Sequence, residues 1–214
     1  KWTLNGDDDV YADDIVLLAP SVSALQALLK ICESEINNLD LQLNCKKSMC
    51  VRIGRRFSYN CANIVTADGS EVKWVSQLRY LGVFICSSTI FKCNYSAAKK
   101  AFYGAFNAVY GRIGRAASDE VILHLVKCKC LPVLFYGSEV CPQTAADVRS
   151  LNFTVRRVFM KIFGTFDKNI IDFCEQVFGL PSAEDCIRKR RNVFLAKLHN
   201  SDNLLCKLCS VLCT

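Results

Sequence analysis

The segment Tyr11-Ala12-Asp13-Asp14-Ile15-Val16-Leu17-Leu18-Ala19 sets two adjacent carboxylates directly against an apolar, partly β-branched run. Such a run predicts a short buried strand, Ile15 to Ala19, leaving a tight turn. Neighbouring side chains of an extended chain point to opposite faces, so only a turn brings Asp13 and Asp14 to one cation. Two like charges held close resist ionisation unless a metal compensates them. Mg²⁺ suits such a pair, because it takes carboxylate and phosphate oxygens and keeps some of its water. Two such ions activate a 3′-hydroxyl and stabilise a leaving pyrophosphate. On these residues alone, a solvated acidic turn is the commoner reading.

The rest of the chain has the opposite charge. Residues 1–20 hold five Asp against Lys1, a balance of −4; the whole chain carries +7, so the other 194 residues carry +11. A compact acidic site followed by a basic body suits a phosphate-handling protein, with carboxylates for cations and Lys and Arg for a polymer backbone. A chain of 214 residues that is 51% hydrophobic supports a packed core. No charged-then-apolar leader follows Lys1, and the longest apolar stretch near Leu131 to Tyr136 is too short to cross a bilayer. A soluble, intracellular protein with no membrane partner is expected. Fourteen cysteines among long periodic segments, with Cys32, Cys86 and Cys174 at core positions, read as reduced thiols rather than a disulfide scaffold.

Periodicity divides the chain near residues 87–93, giving a mixed part over 1–90 and a helical part over 91–214. In the first, a helix starts at a capping box formed by Ser23 and Gln26 and carries Leu25, Leu28, Leu29, Cys32, Ile36 and Leu39 on one face. A strand follows near Met49 to Ile53, then Ile64–Val65 and Glu71–Trp74 around an Asp68-Gly69 hairpin turn, then Leu78 to Ile85. In the second, Ala98, Ala101, Phe102, Ala105 and Val109 form one face of a long helix. A helix from Ser118, with Asp119 and Glu120 in its first turn, should weaken before Pro132. Further helices are predicted over Ala145–Phe163, about Ile170–Phe178, and from a cap at Ser182 with Asp185 three residues on.

Four short motifs follow one another in order. Tyr11 to Ala19 resembles the active-site hairpin of reverse transcriptases in the form used by non-LTR (LINE-like) retrotransposons. Asn44-Cys45-Lys46-Lys47-Ser48 resembles the next palm motif, and Leu78-Arg79-Tyr80-Leu81-Gly82 the primer-grip element. Leu131-Pro132 with Tyr136-Gly137-Ser138-Glu139 resembles a thumb segment of the same family.

The resemblance implies an α+β fold: the C-terminal part of a polymerase palm over 1–90, an antiparallel sheet with a crossing helix, then an all-helical thumb and C-terminal extension over 91–214. It implies RNA-directed DNA synthesis from a DNA primer on an RNA template, with deoxynucleoside triphosphates (dNTP) and Mg²⁺ in the complete enzyme. Asp13 would hold the catalytic metals, with Asp14 beside it. Tyr11 and Ala12 would line the floor under the primer end and incoming nucleotide. Lys47 would lie near the triphosphate as general acid or charge stabiliser, a plain solvated lysine being an equal reading. Tyr80, Leu81 and Gly82 would hold the primer strand, although Tyr80 and Leu81 also read as core residues of a strand. The family's other metal-binding Asp and its fingers would precede Lys1, and Asp7, Asp8 and Asp9 do not substitute for them. The chain is therefore expected to be inactive by itself. A second reading is a non-catalytic nucleic-acid-binding remnant; a third is an interaction scaffold.

On the Ala145–Phe163 helix, Arg149, Arg156 and Arg157 fall within about a quarter-turn, opposite Val148, Leu151, Val155, Val158 and Ile162. They read as a backbone-contacting stripe or as an ordinary solvated face. Lys99, Tyr103, Phe106 and Tyr110 form a second line, which reads as a nucleic-acid contact or, more often, as packing against the palm. Arg188-Lys189-Arg190-Arg191 points all around its helix, leaving only a surface or localisation-like patch and hence cytoplasm or nucleus as compartments. His199, Cys206, Cys209 and Cys213 raise zinc, but Leu204, Leu205, Leu208, Val211 and Leu212 around them favour an amphipathic helix, and Cys128-x-Cys130 is weaker still.

Overall fold

The computed structural model describes residues 14–114, 116–203 and 206–207. Tyr11, Ala12, Asp13, Cys209 and Cys213 lie outside them. The fold is mixed α+β, with packing that separates two units: residues up to Arg52 with Ser58–Ser76, and Ile53–Phe57 with the residues from Gln77 onward.

In the first unit, helix α1 (Val22–Asn38) lies against a sheet ordered β1 (Met49–Cys50), β3 (Glu71–Trp74), β2 (Ile64–Val65). The hairpin β2–β3 turns at Asp68-Gly69 as the sequence predicts. Asp68 carboxylate oxygens accept from the Thr66 hydroxyl and from the Ser70 N–H and hydroxyl. Those bonds, the Thr66 one foremost, hold its carboxyl below the usual range. An all-antiparallel sheet is not what forms: β1 pairs with β3 in parallel. The chain reverses into β2 and again into β3, which therefore runs in the direction of β1.

Two expectations for this unit are corrected. Ile15 to Ala19 form no strand, and Ile15, Val16 and Leu18 are exposed; Leu17 alone packs with Val22, Leu25, Leu29, Ile64 and Val72. An apolar run becomes a strand only where a neighbour satisfies its backbone, and none does so among the described residues. The cap of α1 is Ser21, accepting from the Ala24 N–H, and not Ser23. Gln26 is occupied elsewhere. Its amide donates to the Val65 carbonyl at 2.6 Å and accepts from the Val65 N–H at 2.8 Å, closing the outer edge of β2 as another strand would. Buried Glu33 covers the next position, both its oxygens accepting from the Ala67 N–H at 3.1 Å.

The second unit begins with an antiparallel sheet, β4 (Gln77–Tyr80), β5 (Val83–Cys86) and β6 (Lys92–Cys93). The single stretch Leu78 to Ile85 is thus two strands. Tyr80 pairs with Val83 across a two-residue turn, Leu81-Gly82, whose φ values are +44° and +80°. Positive φ at both central positions is the pattern of a type I′ hairpin, whose twist matches that of the strands.

Helices α2 (Ser96–Ile113), α3 (Asp119–Leu125), α4 (Leu131–Leu134), α5 (Ala145–Phe163), α6 (Lys168–Phe178) and α7 (Ala183–His199) follow. Helix α5 spans the predicted residues. Its cap, Thr144, exchanges bonds with Asp147, and Ser182 caps α7 through Asp185 as predicted. The regular α-helix gives way before Pro132, ending at Leu125, yet the chain stays helical. A π-helical segment, Val126–Cys130, links α3 to α4, and the Leu131 N–H bonds back five residues to the Val126 carbonyl. The wider turn absorbs a residue that lacks an N–H. In α2 the buried residues are Phe102 and Phe106, while Ala101 is exposed. The larger ring wins the interior, since burying a phenyl group is worth about 1.5–3 kcal/mol.

The core of this unit gathers Phe102, Phe106, Val126, Leu134, Phe135, Leu151 and Val158. A neighbouring cluster joins Leu123, Phe159, Ile171 and Cys174. The cysteines among the described residues are free thiols. Burial pushes the Cys93, Cys130 and Cys141 thiols up, so they stay protonated and behave as small apolar side chains. Among the described residues, no helix is long and apolar enough to cross a membrane.

Candidate nucleic-acid interface

In the first unit, the sequence-predicted positions that can be seen are Asp14 and Lys47, both exposed. The Asn44-to-Ser48 motif forms a turn entering β1. Asn44 accepts from the Lys47 N–H through its side chain at 3.2 Å, and its carbonyl takes the Ser48 N–H and hydroxyl, each at 2.9 Å. That explains Asn and Ser at these positions and leaves the Lys47 ammonium directed to solvent. Among the described residues, no ion pair or hydrogen bond joins Lys47 to Asp14, and no three His, Cys, Asp or Glu side chains gather as a metal site.

In the second unit, two motifs far apart in sequence meet. The Tyr136 hydroxyl donates to the Leu81 carbonyl at 3.1 Å, across the hairpin tip. A methyl group at Gly82 would lie 3.0 Å from the Tyr136 ring, and one at Gly137 would lie 2.7 Å from Val83 Cγ2. Gly137 also has φ of +73°. Both glycines therefore let the β4–β5 hairpin and the segment after α4 approach each other. Leu81 itself is exposed at the tip.

Beyond Gly137, buried Ser138 bonds the Phe135 carbonyl, and Glu139 pairs with Arg190 of α7 at 3.0 Å. Burial works to raise the Glu139 carboxyl, but the Arg190 hydrogen bond and charge prevail and hold it below the usual range. Arg188 is turned to Asp185, so the 188–191 run is split among separate partners.

The predicted arginine stripe is divided in the same way. Arg156 reaches α6, pairing with Asp172 and with Glu175, the latter at 2.9 Å. Arg149 and Arg157 are exposed. The Arg157 guanidinium lies 5.6 Å from the centre of the Tyr103 ring on α2. Next along the helices, the Lys161 ammonium lies 5.6 Å from the Phe106 ring and 5.4 Å from the Tyr110 ring, and donates to Asn107 Oδ1 at 2.9 Å. At the other end, Lys99 donates to the Ser150 hydroxyl at 2.9 Å.

Helices α2 and α5 thus run in parallel, residues 99, 103 and 107 meeting residues 150, 157 and 161. Two cavities open along their seam. One of about 430 Å³ is lined by Tyr103, Phe106, Arg157, Lys161 and Phe166, among others. The other, about 420 Å³, is lined by Lys99, Lys100, Tyr103, Phe153 and Arg157, among others. Neither lining contains a carboxylate. The sequence from Val72 to Ser118 has no Asp or Glu at all, and neither has Val148 to Phe166. Asp147, near Lys92 and Lys99, is taken up in the cap of α5. A field of one sign in a concave seam favours a polyanion, and the ring-stacked cations keep their full charge for a phosphate.

This seam is the element that reading each helix separately does not expose, since the cation of each pair stands on α5 and the ring on α2. Its signals in the sequence are the Lys99–Tyr103–Phe106–Tyr110 line on α2, Arg157 of the stripe on α5, and the long acid-free run. No protein-family description, curated protein or solved structure matches the chain.

Proposed function

We propose that the chain is the C-terminal palm and thumb of an RNA-directed DNA polymerase of the non-LTR retrotransposon type. In the complete enzyme it would take part in transfer of dNTP to the 3′-hydroxyl of a DNA primer on an RNA template. The observation that carries the reading is the ordered motif series, two members of which, Leu78–Gly82 and Tyr136–Glu139, pack on one another through the Tyr136–Leu81 bond. A hairpin tip held from behind, with an exposed Leu81 in front, suits a surface that supports a primer end. Mg²⁺, held by Asp13 and Asp14 with the further Asp the family requires, would neutralise the triphosphate in that enzyme. Lys47, on an ordered turn and free to face solvent, would add positive charge there.

The basic body favours a second reading, a non-catalytic nucleic-acid holder, in which Arg149 and Arg157 contact backbone and the Asp pair does nothing. Photocrosslinking separates the two. A benzophenone side chain in place of Leu81 is expected to label the primer strand of a primed RNA near its 3′ end. Labelling of the template alone, or of neither strand, contradicts the primer-grip assignment and leaves the second reading.

A further inference from the structure

The seam between α2 and α5 does more than attract phosphate, because its rims carry aromatic rings that a duplex backbone would not use. Phe153 is 55% exposed at the edge of one cavity and Phe166 is 85% exposed at the edge of the other. Each cavity also shares Tyr103 and Arg157. Four residues advance a helix by about 6 Å, so Lys99, Arg157 (level with Tyr103) and Lys161 (level with Asn107) succeed one another at one-turn intervals. Rings and cations alternate along one line, on a floor free of carboxylates.

We infer that this seam is a track for a single strand of nucleic acid, with bases stacked on Phe153 and Phe166 and phosphates set on Lys99, Lys100, Arg157 and Lys161. Paired bases in a duplex keep their faces hidden, so exposed rings gain nothing from a duplex; unpaired bases present a face to any ring, whatever their identity. The strand bound here is therefore recognised without regard to sequence. The site is distinct from the hairpin tip that would support the primer, and it does not depend on polymerase activity elsewhere in the protein.

The test uses the whole 214-residue chain and three labelled probes: an oligothymidylate of about 16 nucleotides, the upper end of a single-strand footprint, a duplex of equal length, and polyphosphate. Anisotropy titrations at several salt concentrations give the affinities. Substituting both exposed rings, F153A with F166A, is expected to weaken oligothymidylate at least about tenfold while leaving polyphosphate within about twofold. K100E with R157E, both exposed positions, is expected to weaken all three probes and flatten the salt dependence. Absence of oligothymidylate binding by the unaltered chain at low salt overturns the inference. So does an unchanged affinity in the ring variant, or an equal loss for oligothymidylate and polyphosphate. Failure of primer extension by the complete enzyme, with these results intact, would remove the polymerase reading and leave the track.

Discussion

Replacing Gly137 by Ala probes the contact on which the hairpin assignment rests. Three terms set the magnitude. Holding Ala at φ of +73° costs roughly 1–2 kcal/mol, the general penalty for an L residue in the left-handed region. The new methyl would stand 2.7 Å from Val83 Cγ2. Valine is stiff at χ1 and Val83 is half-buried in β5, so relief requires a shift of backbone or rotamer, an overpacking cost of about 1–3 kcal/mol. Against these, Ala stiffens the unfolded chain and returns about 0.4–1 kcal/mol. The net is a loss of about 3 kcal/mol, or a midpoint lower by roughly 6–12 °C for a chain of this size. Gly164→Ala is the control. Its φ is +61°, but nothing lies within 4 Å of the added methyl, so only the conformational cost remains, about 1 kcal/mol. Thermal unfolding followed by circular dichroism reads both. If Gly137→Ala is no more damaging than Gly164→Ala, the segment after α4 does not press on β5 and the reasoning fails.

Leu81→Asn should raise stability by about 0.5–1 kcal/mol, because Asn tolerates the left-handed conformation that Leu resists, and should weaken primer contact at the same time; urea titration reads the first effect and crosslinking the second. For Glu139, the folded carboxyl lies below its unfolded value, so its pairing with Arg190 contributes stability above the unfolded pKa, lost as pH falls through the folded one. Unfolding midpoints compared from about pH 6 down to pH 3, the range around an ordinary Glu at about 4.3, should therefore fall less steeply in Glu139→Gln than in the unaltered chain; parallel curves would contradict this. Thr144→Ala removes the side-chain oxygen that caps α5 and should cost about 1 kcal/mol in the same unfolding assay.

What could be read from the sequence was whatever a segment decides by itself. Helix α5 was legible because its apolar spacing and flanking turn residues agree, and the Ser182 cap because Asp185 stands three residues on. The Asp68-Gly69 hairpin was legible for the same reason. Gln26 was not, since its partner is the edge of a strand thirty-nine residues away. Leu81 was hidden more deeply: a residue disfavoured at positive φ sits there because Tyr136 and Gly137, from another element, accommodate the turn. The Ile15-to-Ala19 run misled because apolar content alone does not supply a strand with a neighbour. Among candidate site residues, Arg156 left its expected stripe because two acidic side chains of α6 offer a closer partner than solvent. The seam was legible only as two separate lines, because each of its stacked pairs joins two helices.

The central claim, that these residues belong to a template-directed polymerase, meets its most direct test in primer extension. The reading frame that contains this chain, incubated with a primed RNA, dNTP and Mg²⁺, is expected to lengthen the primer, and the Asp13→Ala form is expected to lose that activity entirely. Extension that survives Asp13→Ala would contradict the assignment of the acidic turn, whatever the chain binds.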